Sequence, residues 1–315
     1  MTTTAQRPAP FSKSDPRRGS LIPFAAAILT VCLWASAFVG IRSAGVEFSP
    51  GSLALGRLII GSLVLGLFSL NRPMSKPSKG DMLLLAVAGL SWFGLYNVAL
   101  NAAEQRVDAG TAAMLVNVGP VLIVLFAALL LHERFTRALV IGGVVAFSGV
   151  LLIGLASSTG RAPLGGVLLC LVAASGYAAG VVAQKPVLDR LPALQVTWMC
   201  CVIGAVSCLP FAPSLVRELP EAAPSAIAWL AYLGVFPTAL AFTTWAYALA
   251  RTTAGQIAAT TYLAPPIAVA LSWLILDETP AALSVPGGVL CLVGVYIARR
   301  GPRSQGRRTR VRSTS

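Results

Sequence analysis

Charge is scarce in this chain, and acid is scarcer still. Of 315 residues, 11% are charged, eleven are Asp or Glu, and His132 is the lone histidine. Hydrolysis or phosphoryl transfer needs acids, bases or metal ligands gathered around a substrate. Here the carboxylates all fall in loops or at helix ends, so such a membrane enzyme is disfavoured and no cofactor is implied. His132, beside Glu133 and Arg134, is expected to be a solvated turn residue. The six cysteines, Cys32, Cys170, Cys200, Cys201, Cys208 and Cys291, sit in apolar runs without metal-ligand spacing. Neither disulfide nor metal is expected, and they read as small packed hydrophobes.

Amphipathic periodicity is missing as well. Hydrophobic residues make up 56% of the chain and come in unbroken runs rather than stripes. Crossing a hydrocarbon layer of roughly 30 Å takes about 20 helical residues. Ten runs of that size are expected, near 21–41, 50–70, 82–101, 109–131, 137–155, 163–184, 193–212, 225–248, 254–276 and 281–298. Barrel strands would alternate apolar and polar residues, and these segments do not. The fold class implied is an all-α integral membrane protein with ten transmembrane helices.

What charge there is has a pattern. Nineteen basic residues fall on one side of the ten expected spans: Arg7 to Arg18, Arg72 to Lys79, Arg134 and Arg137, Lys185 and Arg190, Arg251, and seven arginines from Arg299 to Arg312. The other side holds Arg42, Arg106, Arg161 and Arg217, with Arg57 left inside a span. The positive-inside rule then puts both termini in the cytoplasm and explains the net charge of +13 without nucleic acid. The flanks, 1–20 and 299–315, read as a disordered tail with no signal peptide and a basic tail suited to anionic lipid.

The chain also repeats itself. A shift of 145 lays Gly110 on Gly255, Pro120 on Pro265, Glu133 on Glu278, Gly142-Gly143 on Gly287-Gly288, and Gly149-Val150 on Gly294-Val295. Each half, 21–155 and 163–298, holds five expected spans. An odd number makes the second copy enter the bilayer inverted, the architecture of many transporters.

Within that frame the unusual residues can be weighed. Placing Arg57 at a span centre costs roughly 2.5–3.5 kcal/mol on insertion scales. It either reaches the outer interface or anchors a substrate carboxylate. Pro120 and Pro265 sit at matched central positions, each removing a backbone donor, and Asn117 and Tyr262 precede them by three residues. Such broken helices can expose backbone groups to a polar ligand. Trp34, Ser36, Tyr96, Asn97, Asn101, Tyr177, Gln184, Trp245, Tyr247, Gln256 and Thr260 add hydrogen-bonding or aromatic groups that are costly against lipid. Together they suit a central cavity for a small amphipathic or zwitterionic solute, although each alone also fits helix packing. The substrate-binding candidates are Trp34, Asn97, Asn101, Asn117, Tyr177, Trp245, Gln256 and Tyr262. Glu133 and Glu278 are candidates for a gate or for simple turn contacts. With no carboxylate in a span interior, proton coupling through a buried acid is disfavoured. Gly142, Ala146 and Gly149, with Gly287, Cys291 and Gly294, form small-residue stripes that read as scaffold or as a homodimer seam.

Leu33-Trp34-Ala35-Ser36-Ala37-Phe38, Gly119-Pro120, Leu131-His132-Glu133-Arg134, Ala264-Pro265, Asp277-Glu278 and the two glycine stretches resemble the paired EamA domains of the drug/metabolite transporter superfamily. The resemblance implies a multi-pass carrier in the cytoplasmic membrane with inverted five-helix repeats and a cavity between spans 1, 3, 4, 6, 8 and 9. It implies export of amino acids, related metabolites or drugs by alternating access; import or exchange of a similar solute is the alternative. One departure concerns the openings of the repeats: at a shift of 143, Trp34 meets Tyr177 and Arg57 meets Cys200, so a carboxylate anchor would be asymmetric.

Overall fold

The structure is a computed structural model that describes residues 18–107, 112, 115–133, 135–157, 163–276 and 282–299. Among these residues there are helices and turns and no strand. Helix α1 is Arg18–Ala44 and α2 is Pro50–Ser69. Helix α3, Lys79–Ala88, runs through a π-helical segment, Gly89–Leu95, into α4, Tyr96–Glu104. Then come α5 (Gly119–Leu131), α6 (Arg137–Ser157), α7 (Leu164–Leu188), α8 (Ala193–Ser207) and the short α9 (Ala212–Glu218). Helix α10, Pro224–Leu233, passes through a second π segment, Gly234–Leu240, into α11, Ala241–Leu249. Helix α12, Ala254–Thr260, is joined by a 3-10 turn, Thr261–Leu263, to α13, Ala264–Leu276, and α14 is Ser284–Arg299.

Local chemistry sets several of these ends. Ser78 and Asp81 form a reciprocal capping box, with Asp81 N donating to Ser78 Oγ at 3.1 Å and Ser78 N to Asp81 Oδ2 at 2.9 Å. Asp81 also takes the Arg190 guanidinium, through Nε at 2.9 Å, tying α3 to the turn after α7. Pro50 and Pro224 occupy first helical positions, where a missing N–H costs nothing. His132 ends α5 in the left-handed region at φ 53°, so it serves as a C-cap residue.

Among the described residues, five helical stretches are long and apolar enough to cross a membrane: Leu21–Ala44, Pro50–Ser69, Lys79–Glu104, Leu164–Leu188 and Pro224–Leu249. Ala193–Ser207 with Leu209–Glu218, bent by 50°, makes a sixth if the pair is one span. Gly119–Leu131, Arg137–Ile153 and Val285–Ala298 are shorter apolar helices. The burial pattern is that of a protein in lipid. Leu63, Leu67, Leu129, Val144, Leu164 and Leu292 face outward, whereas Arg57, Asn97, Asn101, Gln184 and Thr197 are buried. Apolar surface costs nothing against acyl chains, while amides there would lose hydrogen bonds.

Packing relations recur when the two halves are exchanged. The first π segment presses on α8 and the second on α2; α4 lies on α7 and α11 on α1; α5 lies on α7 and α13 on α1. The π segments themselves start at Gly89 and Gly234, 145 apart. A Cβ on Gly89 would fall 2.7 Å from the Cβ of Ile203, and one on Gly234 would fall 2.6 Å from that of Ile60. Glycine is what lets the neighbouring helix come this close.

Helices α6 and α14 meet along their small residues. A Cβ on Gly149 would lie 2.5 Å from the Gly287 carbonyl oxygen, and one on Gly294 would lie 2.6 Å from that of Gly142. The stripe is therefore occupied inside the chain and is not free to serve as a seam with a second copy. The sequence alone did not separate these outcomes, because both exploit close backbone approach.

Candidate functional site

Helix α1 carries Trp34, Ala37, Phe38 and Ile41 on one face. These line a cavity with about 690 Å³ of atom-free space, part of it continuous with the exterior. Arg57 reaches it from α2, and Trp92, Tyr96, Asn97 and Leu100 from the π segment and α4. Val116, Asn117 and Pro120 enter from the start of α5, Tyr177 from α7, Phe242 from α11, and Thr261 and Ala264 from the 3-10 turn and α13.

Part of the cavity wall is a cluster of aromatic rings. Trp34 lies 5.0 Å from Trp245, 5.4 Å from Phe242 and 5.8 Å from Trp92. Trp92 lies 5.1 Å from Tyr177, and Phe93 lies 4.3 Å from Phe242. Edge-to-face and tilted pairs at such separations are favourable and rigid. The Trp34 indole N–H donates to the Pro237 carbonyl at 3.3 Å, in the second π segment. A π-turn leaves backbone carbonyls looking for donors. Asn97 answers the first one, its Nδ2 donating to Phe93 O at 2.8 Å and Trp92 O at 3.4 Å. Thr238 answers the second by donating to Leu233 O at 2.8 Å.

Arg57 is 4% exposed, and its Nε donates to Thr238 Oγ1 at 3.0 Å. It does not reach the interface. The buried direction wins because a hydroxyl donated by the π segment is available inside the bundle.

The breaks in the two halves are built alike. Asn117 and Val118 form a turn before α5, and Thr261–Leu263 form one before α13. Pro120 and Pro265 stand second in the helices that follow, so they open new segments instead of kinking continuous ones. Thr260 and Thr261 donate their hydroxyls to Ile257 O at 2.5 Å and Ala258 O at 2.7 Å in the turn above.

The expected site residues are not all brought together. Trp34, Asn97, Asn117, Tyr177, Pro120 and Arg57 line the cavity. Trp245 is fully buried behind Trp34. Tyr262 turns away from the cavity to pack near Phe147, with ring centroids 6.1 Å apart. Gln256 lies in the first turn of α12, where Thr253 Oγ1 accepts from its backbone N–H at 3.2 Å. Asn101 faces a second pocket, described below. Glu278 lies outside the described residues. Trp92, Phe242 and Thr261 are cavity residues that the sequence did not single out. The signal for Trp92 was its place in the glycine-flanked stretch that becomes a π-turn.

Glu133 has a definite task. Its Oε1 accepts from Ala254 N at 3.0 Å and its Oε2 from Gly255 N at 3.4 Å, capping the start of α12 from the far side of the α5 end. Lys185 holds the other side of the same connection: its Nζ donates to Leu249 O at 2.7 Å and Thr252 O at 2.6 Å. A carboxylate and an ammonium thus grip both ends of residues 250–253.

The EamA-like transporter family matches this chain twice, over residues 21–155 and 164–300. The chain belongs to that family, and it is a membrane transporter. Among its relatives is the "Probable terminal-alkyne amino-acid exporter" of Streptantibioticus cattleyicolor, 36% identical over 285 residues that cover 90% of this chain and 94% of the relative. "Uncharacterized transporter YdfC" of Bacillus subtilis is 32% identical, covering 85% and 87%. The "Probable amino-acid metabolite efflux pump" of Salmonella typhimurium is 26% identical, covering 86% and 92%. One solved crystal structure matches with a TM-score of 0.73 at 24% identity, over 90% of this chain and 97% of that one, a likeness of fold alone.

Proposed function

We propose that the protein exports a small zwitterionic or amphipathic metabolite, of amino-acid type, by alternating access. The observation that carries this is the cavity itself. A buried guanidinium and two amides, Arg57, Asn97 and Asn117, share the cavity lining with aromatic rings and lie beside helix breaks. A carboxylate can meet Arg57 while an apolar side group lies on Trp34, Trp92 and Phe242, which replaces part of the solute's hydration. The relatives named for amino-acid export and amino-acid metabolite efflux support the choice of solute class and direction.

The moving parts follow from the repeat. Ten spans in two inverted sets of five, with both termini cytoplasmic in the cell membrane, agree with the exchangeable packing of the halves and the 145-residue offset of the π segments. In that orientation the Glu133–Lys185 clamp lies toward the cytoplasm. The bundles rock so that one mouth closes as the other opens.

Purified protein in liposomes should carry labelled leucine or a similar amino acid down its gradient unchanged, and expressing cells should accumulate less of it. No flux across a panel of amino acids and drugs, with the protein correctly inserted, overturns the proposal. Reporter fusions placing the two termini on opposite faces would remove the inverted topology.

A further inference from the structure

Beyond the end of the cavity near Ile41 lies a second pocket, open in part to the exterior, between the end of α1, the start of α2 and the end of α4. On α4, Asn97, Asn101 and Glu104 are spaced four and three residues apart, so one helical face leads from the cavity to this pocket. Asn101 is 2% exposed; its Nδ2 donates to Pro50 O at 3.0 Å, while its Oδ1 has no partner. Glu104 ends the helix, as the sequence suggested, yet its Oε1 is buried and also lacks a partner. Buried acceptors without donors are rare, because each forfeits its hydration. Two such acceptors line this one pocket.

The charged and titratable groups around Glu104 are Arg42 from α1, Arg57 from α2, Tyr96 on its own helix and Cys170 from α7. Arg42 lines the pocket from an exposed position and makes no hydrogen bond or ion pair among the described residues. Its counterpart in the other half, at the 143-residue shift that relates Trp34 to Tyr177, is Lys185. Lys185 donates to Leu249 O, and Leu249 is the 145-residue counterpart of Glu104. The same cationic position is thus engaged at one end of the molecule and disengaged at the other.

We infer that Glu104 and Asn101 form a subsite for a primary ammonium group, which competes with the Arg42 guanidinium for the same two oxygens. A solute leaving the cavity meets this subsite on the way out, and its departure frees the oxygens for Arg42. The path rests on the transport proposal, whereas the subsite is tested by binding alone.

The experiment is thermal unfolding of the purified full-length chain, titrated with methylammonium chloride, sodium chloride and choline chloride. Methylammonium should raise the midpoint of the wild type, while sodium and choline at equal ionic strength should not. Glu104→Gln and Asn101→Leu should each raise the half-saturating methylammonium concentration by about tenfold or more. Arg42→Gln should lower it, a gain that misfolding does not produce. Equal responses of the wild type and Glu104→Gln, or stabilisation by sodium alone, overturn the subsite. Absence of leucine flux in liposomes with methylammonium binding intact would instead count against the transport proposal.

Discussion

Arg57 Nε donates to Thr238 Oγ1 at 3.0 Å, and the Thr238 hydroxyl donates in turn to Leu233 O at 2.8 Å. A guanidinium in one half of the chain is thereby held by a backbone irregularity in the other. Arg57→Met should lower flux of a carboxylate-bearing solute by about tenfold or more, with insertion intact. Arg57→Lys should recover only part, because an ammonium cannot both hold Thr238 and present a planar fork. Wild-type flux in Arg57→Met liposomes would remove Arg57 from the site.

The α6–α14 contact predicts a contrast between neighbouring glycines. Gly149→Ala places a methyl 2.5 Å from the Gly287 carbonyl oxygen, whereas a Cβ on Gly143 meets nothing within 4 Å. Overpacking of this kind costs about 1–3 kcal/mol. Gly149→Ala should lower the unfolding midpoint in detergent, and Gly143→Ala should leave it unchanged. Equal midpoints would show that the two helices do not touch as described.

The clamp on residues 250–253 predicts a local effect. Removing a helix cap costs about 0.5–2 kcal/mol. Glu133→Gln weakens the charge-assisted bonds to Ala254 N and Gly255 N, so these amides should exchange hydrogen faster while those of α8 do not change. Unaltered exchange at Ala254 and Gly255 would show that Glu133 caps nothing.

Much of this was legible before the structure, for a simple reason. Membrane helices announce themselves by length and apolarity, and the prolines and glycines at matched positions mark the doubled unit. The rotation of each helix was not legible. A helix apolar all round carries no stripe to say which face meets lipid and which meets its neighbours. Hence Trp34, Asn97, Asn117 and Tyr177 line the cavity while Trp245 and Tyr262, chemically like Trp34 and Tyr177, point into packing contacts. Glu104 looked like one more carboxylate at a helix end, because sequence reports position along an axis but not what covers it. The π-turns were hidden too. Their signal is an insertion relative to regular helix, and only Gly89, Gly234 and Pro237 hint at it.

The aromatic cluster makes a prediction of its own. Trp34 touches Trp92, Tyr177, Phe242 and Trp245, so its loss opens a gap from several sides at once. Trp34→Ala should lower the unfolding midpoint, by less than loss of a fully buried Trp would because Trp34 already borders the cavity. It should also reduce discrimination between leucine and a short polar amino acid in competition flux. Unchanged selectivity in a folded Trp34→Ala protein would mean that the cluster does not contact the solute.

Where Gly142 meets Gly294 and Gly149 meets Gly287, main chain rests on main chain with no layer of side chains between. Such a joint has no rotamers to reshuffle, so a methyl group added on either side meets backbone that cannot step aside.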